Sequence, residues 1–292
     1  MNLTRRRAIA TLAAVPLLHA CAHDSAVRAG SKNFTESILI AEIYAQALER
    51  GGLRVERRLD LGSTQIAMAA MARGDIDLYP EYTGTALIDV LHRAPMRDPA
   101  AIYDAVKAAF ARDYGIIWLA RSPMNDSQGL ATTRAIAQRY RLRTLSDLAP
   151  VASQLRLATI PEFVSRPDGL PGLRRLYGGF HFKSVRTYDI SLKYQALLQG
   201  EADIATAFTT DGAIVVDDLV VLEDNKHLWP AYNVAPLVRR ATLTRTPRIA
   251  ALLDAIAPRI TSRATQTMNA EIESRDRDPA DVAAAFLAGH SA

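Results

Sequence analysis

GDIDLYPEY (74–82) and GEADIATAF (200–208) are the two stretches on which the fold turns. Each opens on a glycine that ends an amphipathic helical pattern, then runs through acidic residues into an apolar stretch of strand character. In each, an aromatic residue stands eight positions after the glycine, Tyr82 in the first and Phe208 in the second. Side chains alternate along a strand, so one ring from each copy arrives at an equivalent strand end. Two like-built lobes that each present an aromatic ring there imply a ligand cleft between them. Taken alone, the same glycine–acid pairs also fit ordinary helix-to-strand connections.

Outward from the first copy, VRAG (27–30) reads as a strand entering the loop SKNFTES, followed by a helix with Ile38, Leu39, Ile43, Ala47 and Leu48 at helical spacing and Gly51-Gly52 as its stop. LRVERRLDL (53–61) reads as a half-buried strand, and GST (62–64) opens a helix, QIAMAAMARG, closed by Gly74. In DIDLYPEYTGT (75–85) the strand is expected to give way to a loop, because Pro80 cannot continue a central ladder. Around the second copy, QLRLATIPEF (154–163) and HFKSVRTYDI (181–190) read as strands, SLKYQALLQG as a helix ending at Gly200, and EADIATAFTTDG (201–212) as a strand into a loop. Repeated strand–helix–strand units imply an α/β protein with mainly parallel sheets, whose ligands sit beyond the carboxyl ends of the strands. VVLEDNKHLWPAYNVAPLVRR (220–240) reads as a crossover back to the first lobe, covered by helices TPRIAALLDAIAPRI (246–260) and DPADVAAAFLAGH (278–290). The expected organisation is an export signal over 1–20, lobe I over 21–127 and 233–292, and lobe II over 128–232. With no long linker between them, the lobes are expected to be close and hinged.

The chain has 292 residues, which suits two domains of moderate size. Its hydrophobic share of 49% and charged share of 23% are those of a soluble globular protein. Arg5, Arg6 and Arg7 supply three units of the net charge of +4, and the other basic residues are scattered, which argues against nucleic acid as a partner. The apolar run AIATLAAVPLLHA (8–20) after those arginines is too short to span a bilayer and reads as a signal. It ends in Leu18-His19-Ala20-Cys21, which resembles a bacterial lipobox, with histidine an unusual middle residue. That resemblance implies a lipid anchor at Cys21 and a membrane-tethered protein in the periplasm or its extracytoplasmic equivalent. The alternative is an ordinary signal peptide cut near Ala20 or Ala22. Thr4-Arg5-Arg6 also resembles the start of a twin-arginine signal, with Ala8 where a bulky residue is usual, so both export routes stay open. A single cysteine excludes an intrachain disulfide and a cysteine metal cluster. No phosphate loop, dinucleotide fingerprint, nucleophile elbow or metalloprotease motif is present, and His92, His181 and His227 lack metal-ligand spacing. No enzyme, metal or cofactor is expected.

GSKNFTES (30–37), GDIDLYPEYTGT (74–85), RPDGLPGL (166–173), LKYQAL (192–197), FTTDG (208–212) and LEDNKHLWPAYNVAPLV (222–238) together resemble the osmoprotectant-binding proteins of ABC importers. Members of that family bind glycine betaine, choline, carnitine or proline betaine, and the resemblance covers nearly all of the chain after the signal. It implies a two-lobed periplasmic-binding-protein fold of type II with two crossovers, and an ABC permease with its ATPase as partners. It also implies a box of aromatic rings around a quaternary ammonium, each ring worth roughly 0.5–2 kcal/mol. Carried over position by position, the box falls on Tyr82, Gln128 in MNDSQGLAT (124–132), Phe208 and Tyr232 in PAYNVAP. It therefore has three rings, with the Gln128 amide placed against methyl groups and short of partners.

Lys32, Thr85 and Arg166 match the positions that fix a betaine carboxylate, Arg166 having the alternative of bracing the loop before Pro167. Asp126 matches an acidic position of the pocket, or else a loop turn. Tyr188 and Tyr194 read as packing residues. A second reading keeps the transport role but takes another zwitterion, such as an amino acid, with Arg166 and Lys32 on its carboxylate and Gln128 and Asp126 on its ammonium.

Overall fold

Helical spacing and glycine stops act where the sequence places them. The computed structural model describes residues 26–190 and 192–289. The first half runs β1 (Val27–Gly30), α1 (Thr35–Arg50), β2 (Val55–Arg58), α2 (Thr64–Arg73), β3 (Leu78–Tyr82), α3 (Pro99–Asp113) and β4 (Ile116–Trp118). The second runs β5 (Gln128–Thr132), β6 (Arg156–Thr159), α4 (Leu170–Tyr177), β7 (Ser184–Thr187), α5 (Lys193–Leu198), β8 (Ile204–Phe208) and β9 (Val220–Val221). The chain then returns as β10 (Val234–Arg239), α6 (Arg248–Ile256), α7 (Ser262–Arg275) and α8 (Pro279–Leu287). α1 buries Leu39, Ile40, Ile43, Tyr44, Ala47 and Leu48 in a core shared with α6, α7 and α8. Gly74 ends α2 in the left-handed region, at φ 78°, and Gly200 follows α5 at φ 72°, conformations that cost glycine no Cβ clash.

The strands form two sheets of one design, ordered β2-β1-β3-β10-β4 and β7-β6-β8-β5-β9. In each sheet one strand, β10 or β5, runs against the other four, so the sheets are mainly parallel, as the strand–helix pattern implies, with a single reversed strand in each. β2 is an edge strand whose segment is half-buried as its alternation implies: Leu53 is buried, Val55, Leu59 and Leu61 are partly buried, and Glu56, Arg57 and Arg58 face solvent. Pro80 does not end its strand. It sits within β3, directly opposite Pro236 of β10. Neither proline has an N–H, and facing residues of a non-hydrogen-bonded antiparallel pair need none toward each other. α7 was not expected from the sequence, because the residues it buries include Thr265, Asn269 and Glu271 along with Met268.

Two passages carry the chain between sheets, 119–127 and 222–233, and they hold each other. Asn125 and Asn233 form an antiparallel bridge, the Asp126 N–H donates to the Tyr232 carbonyl at 3.2 Å, and the Tyr232 N–H donates to the Asn125 side chain at 2.7 Å. Asp126 and Tyr232 therefore start from the hinge itself. Among the described residues no helix is long and apolar enough to cross a membrane; the signal and Cys21 lie outside them.

The GDID and GEAD stretches share a further device. Arg28 of β1 donates its backbone N–H and Nε to Asp77 Oδ2 at 3.0 and 2.9 Å and its Nη2 to Oδ1 at 3.1 Å. Arg156 of β6 treats Asp203 alike, at 2.8, 2.9 and 2.9 Å. Each aspartate stands three residues after its glycine, so the motif ties the incoming strand to the neighbouring parallel strand. Burial opposes the Asp77 charge, but the Arg28 and Thr242 hydrogen bonds outweigh it and hold the carboxyl below its usual range. Asp77→Asn is expected to cost about 2 kcal/mol of stability, the scale of losing charge-assisted hydrogen bonds. A carboxyl held low stabilises the fold above its unfolded-state value and loses that contribution as pH falls. The difference between wild type and variant in urea denaturation is thus full near neutrality and shrinks in acid; a constant difference down to strongly acidic pH contradicts this account.

Candidate functional site

The carboxyl ends of β1, β3, β6 and β8 and the amino ends of the antiparallel β5 and β10 all open on one cleft of about 960 Å3 between the sheets. Lys32, Tyr82, Thr85, Asp126, Gln128, Arg166, Phe208 and Tyr232 all line it. The eight residues singled out in the sequence are thus brought to one place, but their partners differ from expectation.

Tyr82 ends β3 and Phe208 ends β8, so matched registers bring the two rings to the cleft from opposite lobes. Phe34 stands 6.1 Å from Tyr82, ring centre to ring centre. A lysine faces the rings on each side: Lys32 Nζ lies 4.6 Å from the Tyr82 centre and 5.4 Å from that of Phe34, while Lys193 Nζ lies 4.3 Å from Tyr194 and 5.3 Å from Phe208. These rings attract cations, and the protein's own ammonium groups occupy that role here. Tyr188 and Tyr194, read as packing residues, also line the cleft, and the Tyr194 hydroxyl donates to Asp211 at 2.6 Å.

The cations expected to hold a carboxylate are already matched. Lys32 Nζ pairs with buried Glu81 at 2.8 Å and donates to Thr64 at 3.4 Å. Arg166 grips Asp168 with Nε at 2.9 Å and Nη2 at 2.8 Å, and its Nη1 reaches Asp89, in the other lobe, at 2.8 Å. Arg166 thus links the lobes across the cleft, as well as holding the loop after its own helix. Thr85 lines the cleft, and among the described residues its hydroxyl makes no side-chain hydrogen bond.

Gln128 is not short of partners, contrary to the expectation that its amide would face methyl groups unpaired. Its Nε2 donates to Asp168 Oδ2 at 2.6 Å and to the Tyr232 hydroxyl at 2.9 Å, and that hydroxyl in turn donates to Asp168. Asp168 is fully buried, and a buried carboxylate is tolerated only when donors surround it. Gln128, Tyr232 and Arg166 supply them.

At the other side of Tyr82 lies a second cluster. Glu36 on α1 accepts from the Tyr82 hydroxyl at 2.7 Å and from Asn269 Nδ2 of α7 at 3.0 Å, and Thr210 Oγ1 bridges Glu36 Oε2 and Asp126 Oδ1. Burial pushes the Glu36 carboxyl up to about 7 and raises Asp126 well above the usual carboxylate range, each with help from neighbouring negative charge. Glu273, also on α7, is pushed to about 7 by burial and then by Asp211. Asp126 therefore belongs to a buried acid pair rather than to a loop turn alone. Glu36, Asp168, Thr210 and Asp211 all fall inside the stretches that carry the family resemblance, but their residue types gave no role. Asn269 and Glu273 lie in no motif.

The family described as the substrate binding domain of the ABC-type glycine betaine transport system, OpuAC, matches residues 25–289. The chain is 36% identical over 280 residues to a glycine-betaine-binding protein of Pseudomonas aeruginosa, covering 92% of this chain and 89% of that one. It is 30% identical over 277 residues to the glycine betaine-binding protein YehZ of Escherichia coli, covering 90% of each. A crystal structure of a glycine betaine/carnitine/choline ABC transporter protein superimposes with a TM-score of 0.76 at 29% identity, covering 90% of this chain and 98% of that one.

One glycine sets the position of Tyr232. A Cβ on Gly84 would lie 2.6 Å from two atoms of the Tyr232 ring, whose hydroxyl is pinned by Asp168. Gly84→Ala is expected to destabilise by about 1–3 kcal/mol through overpacking. In a Tyr232→Ala background the same change should cost little, so a double-mutant cycle in urea isolates the contact. An equal cost in both backgrounds removes the ring as the cause.

Proposed function

The chain belongs to the family of substrate-binding domains of ABC-type glycine betaine transport systems, and from that membership and the ring-lined cleft we propose that it captures a small alkylated-ammonium solute, betaine or choline type, for import. The family is a transport family and not an enzyme class; its members work outside the cytoplasm and deliver their cargo to a permease. The observation that carries the solute class is the meeting of Tyr82 and Phe208 from two sheets at one cleft, with Tyr232 rising from the hinge.

A quaternary ammonium, as in betaine and choline, has no N–H to donate and is weakly hydrated, so ring faces hold it better than carboxylates or carbonyls do. Each ring contributes roughly 0.5–2 kcal/mol by cation–π attraction. Lys32 and Lys193, which face these rings, give way on this reading to a guest that fits the faces better. Closure follows from the hinge. The Asn125–Asn233 bridge is the pivot, and the Arg166–Asp89 and Thr210–Glu36 contacts draw the lobes together over the cleft.

A ligand that binds only the folded state raises its thermal midpoint, so a panel of choline, glycine betaine, carnitine and amino acids tests the reading. At least one alkylated ammonium should shift the midpoint, and Tyr82→Ala should weaken its binding about tenfold or more, since roughly 1.4 kcal/mol is a factor of ten. A shift with amino acids alone sinks this assignment.

We further propose that Cys21 carries lipid and tethers the protein to the membrane, on the strength of the Leu18-His19-Ala20-Cys21 run. Cys21→Ala should move the protein from membrane to soluble fractions, and the wild type should show an acylglycerol mass at its mature N-terminus. Membrane retention unchanged by the substitution refutes the anchor.

A further inference from the structure

The charges lining the cleft are unevenly answered. Its cations have carboxylate partners within the protein: Lys32 with Glu81, Lys193 with Asp211, and Arg166 with Asp89 and Asp168. Glu36, Asp126 and Glu273 line the same cleft and make no salt bridge among the described residues. Hydrogen counting sharpens the contrast. A threonine hydroxyl has one proton to give, yet Thr210 Oγ1 lies within hydrogen-bond reach of Glu36 Oε2 and 2.6 Å from Asp126 Oδ1. Two ionised carboxylates are both acceptors only, so the second contact requires a proton on one of them. Close by, Asn269 Oδ1 is buried and has no hydrogen-bond partner among the described residues, a further acceptor with no donor there to meet it. The cluster is short of positive charge and short of protons.

We propose that the Glu36–Thr210–Asp126 unit is a proton-exchange site that makes the cleft selective for solutes of net positive charge. When such a cation settles against the Tyr82 and Phe208 rings, one carboxyl O–H bond breaks and its proton leaves to the solvent. The solute's charge takes the proton's place, and no other bond changes. This rests on the reading of the protein as an alkylated-ammonium receptor.

The surroundings of the pair support holding the proton while the cleft is empty. Tyr82 and Glu81 face it from β3, Asp211 from the turn after β8, and Glu273 from α7, while Tyr194 and Lys193 stand on α5 and Lys32 beside the Tyr82 ring. Acids outnumber cations here, and both lysines already serve Glu81 and Asp211. Burial and this crowding set Glu36 at about 7, within reach of exchange near neutrality. A zwitterion brings its own carboxylate close behind its ammonium, which weakens the field that expels the proton. That carboxylate also finds no cation in the cleft without a carboxylate partner.

Since proton and solute compete, affinity for a cation should rise with pH, by up to about tenfold per unit while the pair holds its proton. Titration calorimetry of the full chain with choline, in phosphate and in Bis-Tris near pH 6.5, reads the exchange directly, because the two buffers take up a proton with very different heats. The expected result is a buffer-dependent heat equivalent to about half a proton or more released per choline, and a smaller release with glycine betaine. Glu36→Gln and, as a second variant, Asp126→Asn should each reduce the release and flatten the pH profile, with folding checked by thermal melts. Choline binding with the same heat in both buffers and the same affinity at about pH 6 and about pH 8 overturns the proposal. So does a release by glycine betaine equal to or larger than that by choline. If no alkylated ammonium binds at all, the receptor reading fails first and this inference falls with it.

Discussion

Asp168 cannot reach water, and a charge in that position must be answered by donors or not exist. Arg166, Gln128 and Tyr232 converge on it, and each then has its own reach fixed: Arg166 toward Asp89 in the opposite lobe, Tyr232 from the hinge toward the cleft, Gln128 between the two. Remove the carboxylate and three groups lose their common anchor, one of which bridges the lobes. One side of the cleft therefore takes its shape from the need to neutralise a single buried charge. The other side is shaped by an opposite circumstance, in which Glu36 and Asp126 have hydrogen bonds but, among the described residues, no counter-ion. On the Asp168 side two carboxylates share one guanidinium, whereas on the Glu36 side, among the described residues, the carboxylates share only hydroxyl, amide and backbone donors.

The two sheets repeat more than their strand order. Each uses an arginine early in a parallel strand and an aspartate three residues beyond a left-handed glycine to lock neighbouring strands, and each then delivers a ring at the far end of the locked strand. The clamp sits at the amino end of β3 and β8 and the ring at the carboxyl end, so the rigidity that orients the rings lies outside the cleft. Placing the support away from the ligand lets cleft residues vary without loosening the frame.

What could be read from the sequence follows from what is local. Strand alternation and the fixed distance from glycine to ring are properties of the backbone, so Tyr82 and Phe208 were placed together before any tertiary contact was known. Gln128 lines the cleft, but its hydrogen bonds are not legible in the sequence, because its partners Asp168 and Tyr232 stand 40 and 104 residues away and nothing in QGLAT reports them. Pro80 is tolerated because the rule that excludes proline from central strands applies where the facing strand needs its N–H, and Pro80 faces β10 in a non-hydrogen-bonded pair. α7 was missed because a helix that buries threonine, asparagine and glutamate has no apolar stripe to betray it, although it brings Asn269 to Glu36.

The return strand carries a consequence for the order in which the protein can assemble. β10 lies between β3 and β4, and it is the strand that joins β4 to the first sheet. Residues 234–239 emerge only after all five strands of the second sheet have been made. A chain appearing amino end first thus has the second sheet's strands complete while the first still lacks its keystone, and β4 waits with its edge unpaired through more than a hundred residues of synthesis or translocation. The lobe that starts the sequence is thus the one whose strands are all available last, and the hinge passages can meet only once residue 233 has emerged.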